Sequence, residues 1–308
     1  MSLFDALERA GYKGRLVSAD HLKELEEEIE SLRRRAEIDE GFYQARLASL
    51  KYEKPASMRN ARSIIVIAVP QPMIQLSFAW EGSVIPVVLP PTYIDISKIN
   101  HTVRDLLRRG VSPERYRFVR AALPLKALAV HSGLALYGRN NIAYIPGYGS
   151  FHRLVAFFTD YPCREDRWQA ARMLAACQDC RDCIAACPTG AISGKRFPIR
   201  AERCLTFLNE KISGESFPAW VRPSWHHAIV GCMRCQEACV YNKKVLGWSE
   251  RRDEFSEEET AYLMKGDFSG GMARRINRKL RRVGLDLTIF PRNLAVLLNR
   301  VKVHGTGQ

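Results

Sequence analysis

Eight cysteines fall between positions 177 and 239, in the runs CQDCRDCIAACPTGAI, ERCLTF and GCMRCQEACVYN, and no other feature restricts the fold so tightly. Cys177, Cys180, Cys183 and Cys187, followed by Pro188, fit C-x2-C-x2-C-x3-C-P, the bacterial ferredoxin spacing in which the fourth cysteine serves a neighbouring cluster. Three cysteines on one tight loop can reach three irons of a cubane, while the cysteine before proline points away from it. A second half is therefore required. Cys204, Cys232, Cys235 and Cys239 provide it, opened by an insertion after the first member. The crossed rule assigns Cys177, Cys180, Cys183 and Cys239 to one [4Fe–4S] cluster, and Cys187, Cys204, Cys232 and Cys235 to the other. Zinc is the alternative, but one tetrahedral ion needs only four ligands and gives Cys183 and Pro188 no role. Cys163 stands outside both runs and reads as a small buried hydrophobe. Val240 occupies the place where a second Cys-Pro would put proline. His226 and His227 precede the second run but are not needed as ligands, because eight thiolates complete both clusters.

A chain of 308 residues with 46% hydrophobic composition can bury a substantial core. It has no apolar run of about 18 residues, and Met1–Arg15 lacks the core of a secretory signal, so a cytoplasmic location is expected. In a reducing compartment metal ligation explains dense cysteines better than disulfides do. The net charge of +14 points to an anionic partner without choosing among nucleic acid, a phosphorylated substrate or an acidic redox protein.

The segment from Leu22 to Leu50 joins strong helix formers to apolar residues at three-to-four spacing and predicts one or two amphipathic helices. SIIVIAV from Ser63 predicts a buried strand, and the β-rich SVIPVVLPPTY follows. A helix ending at Gly110, the strand YRFVRAAL and a helix headed by Pro124 come next. NIAYI and LVAFF predict two strands joined by a turn carrying Gly147 and Gly149. Beyond the cysteines, DEFSEEET is acidic and ARRINRKLRR is basic. The basic helix reads either as a phosphate-contacting surface or as a solvated helix whose Ile276, Leu280 and Val283 pack on the core, with the second favoured.

The cysteine runs, with RCLTFLNE between them and Asn242 behind, resemble the iron–sulfur part of the epoxyqueuosine reductases and of the related reductive dehalogenases. The likeness extends upstream. SIIVIAVP is similar to the strand preceding that family's substrate region, and PLKALAVHSGLALYGRNNIAYIPGYGSFHRLVAFFTD is similar to its cobalamin-binding segment, so Ser63 to Lys244 is covered. The resemblance implies an α/β (α+β) chain in which a nitroreductase-like sheet domain precedes a bacterial-ferredoxin-like two-cluster domain. Its expected divisions are a helical region at 1–62, the corrinoid and substrate domain at 63–165, the double-cluster domain at 166–247 and a basic helical tail at 248–308.

The same resemblance implies two [4Fe–4S] clusters and a cobalamin, held by Gly133, Gly138, Asn140, Gly147, Gly149 and Ser150, whose other reading is ordinary turn chemistry. An external electron donor such as ferredoxin or flavodoxin, a small-molecule or nucleic-acid-derived substrate and no membrane complete the picture. Three departures stand out, one being that the N-terminal helix and the insert WEGSVIPVVLPPTY match none of the family's motifs. Ala121 occupies the position of the family's proton-donating acid, which leaves Lys126, Tyr137, Tyr144, Tyr148 and His152 as candidate donors. The sequence after Lys244 is also too short for the several helical repeats with which the family grips tRNA. The expected function is an iron–sulfur oxidoreductase passing electrons to a corrinoid that reduces an unidentified substrate. The alternatives are an electron-transfer or corrinoid-reactivating protein without a substrate, and an RNA-binding accessory protein.

Overall fold

The computed structural model describes residues 3–111, 115–211, 216–281 and 283–305. Its strands are β1 (Lys13–Ser18), β2 (Ser63–Pro70), β3 (Met73–Trp80), β4 (Ser83–Leu89), β5 (Phe118–Arg120), β6 (Leu136–Tyr137), β7 (Ala143–Tyr144), β8 (His152–Thr159) and β9 (Ser249–Phe255). The main sheet has the order β1-β2-β8-β5, and every pairing in it is antiparallel.

β2 is the centre of this sheet because its β-branched side chains are buried on both faces. Alternation divides them between two cores. Ile64, Val66 and Ala68 pack with Leu22 and Leu25 of the helix Leu22–Arg34 and with the helix Leu125–His131. Ile65, Ile67 and Val69 pack with Ile99, Val103 and Leu107 of the helix Ile96–Gly110, which Asp95 caps. β1 brings part of the expected N-terminal helical region into the same sheet, with Val17 opposite Ile64.

A second lobe is assembled from distant segments. β9 pairs in parallel with β3, giving the order β4-β3-β9, and the helices Glu257–Lys265, Gly270–Leu280 and Phe290–Gly305 cover the sheet. Phe78 stacks on Phe255 at 4.8 Å between ring centroids. The basic helix is tied to this core. Ile276, Leu280 and Val283 are buried, while Arg275 Nε and Lys279 Nζ donate to the buried carboxylate of Glu259 at 2.9 and 2.7 Å.

The expected pairing of NIAYI with LVAFF is not formed. β7 pairs with β6 instead, and β8 lies between β2 and β5. The reason is burial: β8 is apolar on both faces and fills the sheet centre, whereas Ile145 and Gly149 close a tight turn that leads the chain away from a simple hairpin. The result is a mixed helix-and-sheet, α+β architecture. The segment leading to the cysteines is fastened by Trp168, sandwiched between His21 and His131 with ring centroids 4.2 and 4.7 Å away.

Candidate functional site

The cysteines sit on short helical turns. Cys177 ends the turn Ala175–Cys177, Cys183 lies in Asp182–Ala186, Cys204 precedes Leu205–Glu210 and Cys235 lies in Arg234–Glu237. All eight are partly buried free thiols. Several of these thiols lie close enough to feel one another's charge. Burial and then Cys177, Cys180 and Cys239 push the Cys183 thiol up to about 11. Burial and then Cys204 and Cys187, opposed by backbone hydrogen bonding, push Cys232 up to about 12. Cys235 is raised by burial and by Cys232, Cys204 and Cys187. Thiolates gathered without counter-charge in a dry interior repel one another, and bound iron relieves that cost.

Cys187, Cys204, Cys232 and Cys235 line a half-open cavity of about 570 Å³, walled also by Ile29, Tyr137, Ile142 and Phe197. That volume is within the usual range of small-molecule and cofactor sites. Two polar groups on the wall lack partners. His152 is 5% exposed and its Nε2 lies 2.9 Å from the Ala143 carbonyl, which makes Nε2 the protonated nitrogen. Its Nδ1 is buried and unpartnered, and burial pulls the imidazole down to about 4, so the ring is neutral and Nδ1 is an acceptor. Arg153 Nη1 donates to the Thr92 carbonyl at 2.8 Å, while Nε is a buried donor without a partner.

Lys126 faces the cavity and donates to the Asn141 carbonyl at 2.9 Å. Its pKa is lowered by desolvation, against the opposing pull of Cys204 and Glu210. The Glu210 carboxylate is gripped by the Tyr93 hydroxyl and by Arg46 Nη2, the latter at 2.8 Å. Burial, reinforced by Glu210, holds Tyr93 far above the usual phenol value. Tyr137 lines the cavity, and burial raises its pKa as well.

Of the six residues expected to hold a corrinoid, Asn140 and Ser150 line the cavity, and Gly133, Gly138, Gly147 and Gly149 do not. Gly149 has φ +55°, and a Cβ there would lie 2.2 Å from Asn242 Oδ1 and 2.9 Å from the Tyr241 carbonyl. This glycine lets the cysteine domain dock. The joint is completed by Asn242, whose Oδ1 accepts from Ser150 N and whose Nδ2 donates to Ser150 Oγ and the Gln236 carbonyl, each at 2.8 Å. Among the candidate proton donors, Lys126, Tyr137 and His152 line the cavity. Tyr144 does not: it is buried against Cys239. Tyr148 donates to the Gly11 carbonyl elsewhere. Sequence reasoning missed Arg153, Arg46, Tyr93 and Glu210. A lone arginine at the start of an apolar strand was the one available signal.

Residues 176–242 match a family model described as a 4Fe-4S double cluster binding domain. An epoxyqueuosine reductase of Staphylococcus aureus is 23% identical over 249 residues, 74% of this chain and 60% of that protein. One from Burkholderia pseudomallei is 31% identical over 121 residues, 38% of this chain and 29% of that protein. The chain is similar in sequence to the epoxyqueuosine reductases. The Streptococcus thermophilus enzyme structure superposes with TM-score 0.68 over 97% of this chain and 80% of its own, at 20% identity, so the likeness is one of fold. The same score holds for an epoxyqueuosine reductase crystallised with an epoxyqueuosine-modified tRNA-Tyr stem loop. This relative spans less than two thirds of the length of the curated proteins that it matches.

Proposed function

We propose that this chain is an iron–sulfur reductase in which electrons enter at the Cys177, Cys180, Cys183 and Cys239 cluster and leave from the other into a corrinoid held in the cavity. The observation that carries the reading is that Cys187, Cys204, Cys232 and Cys235 all line the cavity whose wall offers an unpartnered acceptor and an unpartnered donor. A largely apolar macrocycle fringed with amides needs both kinds of group, so the residues fit. When bound, the clusters supply one-electron transfer and the corrinoid supplies a cobalt centre for a demanding reduction.

The chain's own residues then have these roles. His152 Nδ1 accepts from, and Arg153 Nε donates to, amides of the ligand, with Asn140 and Ser150 beside them. Lys126 takes the proton-donor role left open at Ala121, because its ammonium faces the cavity with donors to spare beyond the one held by Asn141. The sheet body acts as the nitroreductase-like cofactor domain. Val240 and Tyr241, 60% and 43% exposed beside Cys239, provide the surface against which an external donor such as a flavodoxin or ferredoxin would dock. The +14 charge and the tRNA-bound neighbour favour a nucleic-acid-derived substrate.

A second reading, an electron-transfer protein without its own substrate, is favoured by the buried Ala121 where the family places an acid. The test is equilibrium binding of hydroxocobalamin to protein reconstituted with iron and sulfide, compared with His152→Phe and Arg153→Gln. Retention by wild type and roughly tenfold weaker retention by each variant is expected, about 1.4 kcal/mol apiece. Wild-type protein that holds eight irons but retains no corrinoid would sink the reading.

A further inference from the structure

We propose that Tyr93 is a positioning residue for the ligand of the cavity: anchored by Glu210, it holds the turn whose carbonyl aims Arg153 at that ligand. The proposal rests on the corrinoid reading above, in which Arg153 Nε donates to the occupant. Tyr93 ends the segment Trp80–Tyr93, which matches none of the family's motifs, so an element peculiar to this chain would control a group of the shared site.

The contacts form a continuous chain. β4 runs beside the approach to the second cysteine run, where Ile229 N donates to the Val88 carbonyl at 3.3 Å. Pro90 and Pro91 follow β4, and both are buried. Two prolines restrict the backbone, and Tyr93 N closes the turn by donating to the Pro90 carbonyl at 3.1 Å. Pro90, Thr92 and Tyr93 all line the cavity. The Thr92 carbonyl accepts from Arg153 Nη1 at 2.8 Å. A guanidinium is a rigid planar fork, so fixing one nitrogen fixes the direction of the others, and this bond decides where the buried, unpartnered Nε points.

Tyr93 is held from two sides. Its hydroxyl donates to Glu210 Oε1, while Arg46 Nη2 donates to Oε2 of the same carboxylate at 2.8 Å. Its ring lies against Gly231, which has φ +70° and where a Cβ would come within 2.6 Å of the ring and 2.9 Å of the Pro90 side chain. Only glycine admits the ring there. With its proton committed to Glu210, Tyr93 is not a donor to the ligand, and its influence passes through Thr92 and Arg153. Glu210 ends the helix Leu205–Glu210 and Arg153 belongs to β8, so the turn links the cysteine domain to the sheet at the cavity wall.

The test is a double-mutant cycle of hydroxocobalamin binding to the full chain reconstituted with iron and sulfide, using wild type, Tyr93→Phe, Arg153→Gln and the double variant. Tyr93→Phe is expected to bind roughly three- to tenfold more weakly than wild type, the range of one lost hydrogen bond. The double variant is expected to bind no more weakly than Arg153→Gln alone, because Tyr93 acts through Arg153. Hydrogen–deuterium exchange without corrinoid reads the turn itself: the amide of residue 93 is expected to exchange faster in Tyr93→Phe, with β2 and β8 unchanged. Wild-type affinity in Tyr93→Phe overturns the proposal, and so do additive losses in the double variant. Loss of iron or faster exchange throughout the sheet would mark a general structural role and overturn it too. Wild-type protein that holds eight irons and retains no corrinoid sinks the underlying reading and this proposal with it, whereas the other failures leave that reading standing.

Discussion

Replacing Asn242 by leucine removes a side chain that is fully buried and makes three hydrogen bonds of 2.8 Å, to Ser150 N, Ser150 Oγ and the Gln236 carbonyl. Leucine has similar volume, so the loss is one of polar satisfaction rather than of packing. Ser150 is 3% exposed, and the carbonyl of Gln236 faces the same dry joint. Each of the three groups left without a partner costs roughly 1–3 kcal/mol, so a sum of about 3–9 kcal/mol is expected, a large share of the stability of an ordinary domain. Because the joint anchors the loop carrying Cys239, the cysteine domain should come loose before the sheet does. Urea unfolding of the reconstituted protein, followed by cluster absorbance and by far-UV circular dichroism, reads both effects. Cluster absorbance should fall at lower urea in Asn242→Leu than in wild type, ahead of the dichroism. A variant within about 1 kcal/mol of wild type, with the two signals still coincident, would refute the docking role.

Three further outcomes are expected. His152 has its folded pKa depressed to about 4, so the unfolded chain binds the extra proton first, and this residue's contribution is complete above about pH 6.5 and declines as pH falls toward 4. Between pH 6.5 and 5 the wild-type advantage over His152→Phe should shrink by about 2 kcal/mol, checked by urea midpoints; a constant difference would show that the ring is not buried as a neutral acceptor. Gly149→Ala should destabilise by about 2–4 kcal/mol, from the left-handed backbone and the clash with Asn242, as seen in the same unfolding assay; a neutral result would mean that the joint is loose. Cys163→Ser should retain eight irons by chemical assay, since the Cys163 thiol lies 3.9 Å from the Leu16 carbonyl and stands outside the cysteine runs, and a loss of four would reassign it as a ligand.

The parts legible in the sequence are those whose signal is local. The double-cluster character of the cysteine runs could be read from their spacing, and the β-branched run at Ser63–Pro70 announced a buried central strand. β1 and β9 escaped notice because KGRLVS and SERRDEF are charged edge strands in which two residues and one residue, respectively, are buried. Their pairing is decided by distant partners, as is the assembly of the second lobe from residues on both sides of the cysteines. The glycines show a further limit. Gly149 combines a positive φ with a close approach by Asn242 and Tyr241, and the sequence offers no means of telling such a docking glycine from one that admits a cofactor. Arg153 and Glu210 reach the cavity from different elements, which only the folded chain brings together.

In the proposed mechanism the cluster bound by Cys187, Cys204, Cys232 and Cys235 faces the cavity and delivers electrons to its occupant. Cys204→Ser tests it most directly. Wild-type and variant proteins are reconstituted with iron, sulfide and hydroxocobalamin, then given a low-potential reductant too large to enter the cavity, while the corrinoid absorbance is recorded. Rapid reduction of the bound corrinoid is expected in wild type, and in Cys204→Ser a retained corrinoid that stays oxidised beside four reducible irons. Equal rates of corrinoid reduction in the two proteins would contradict it.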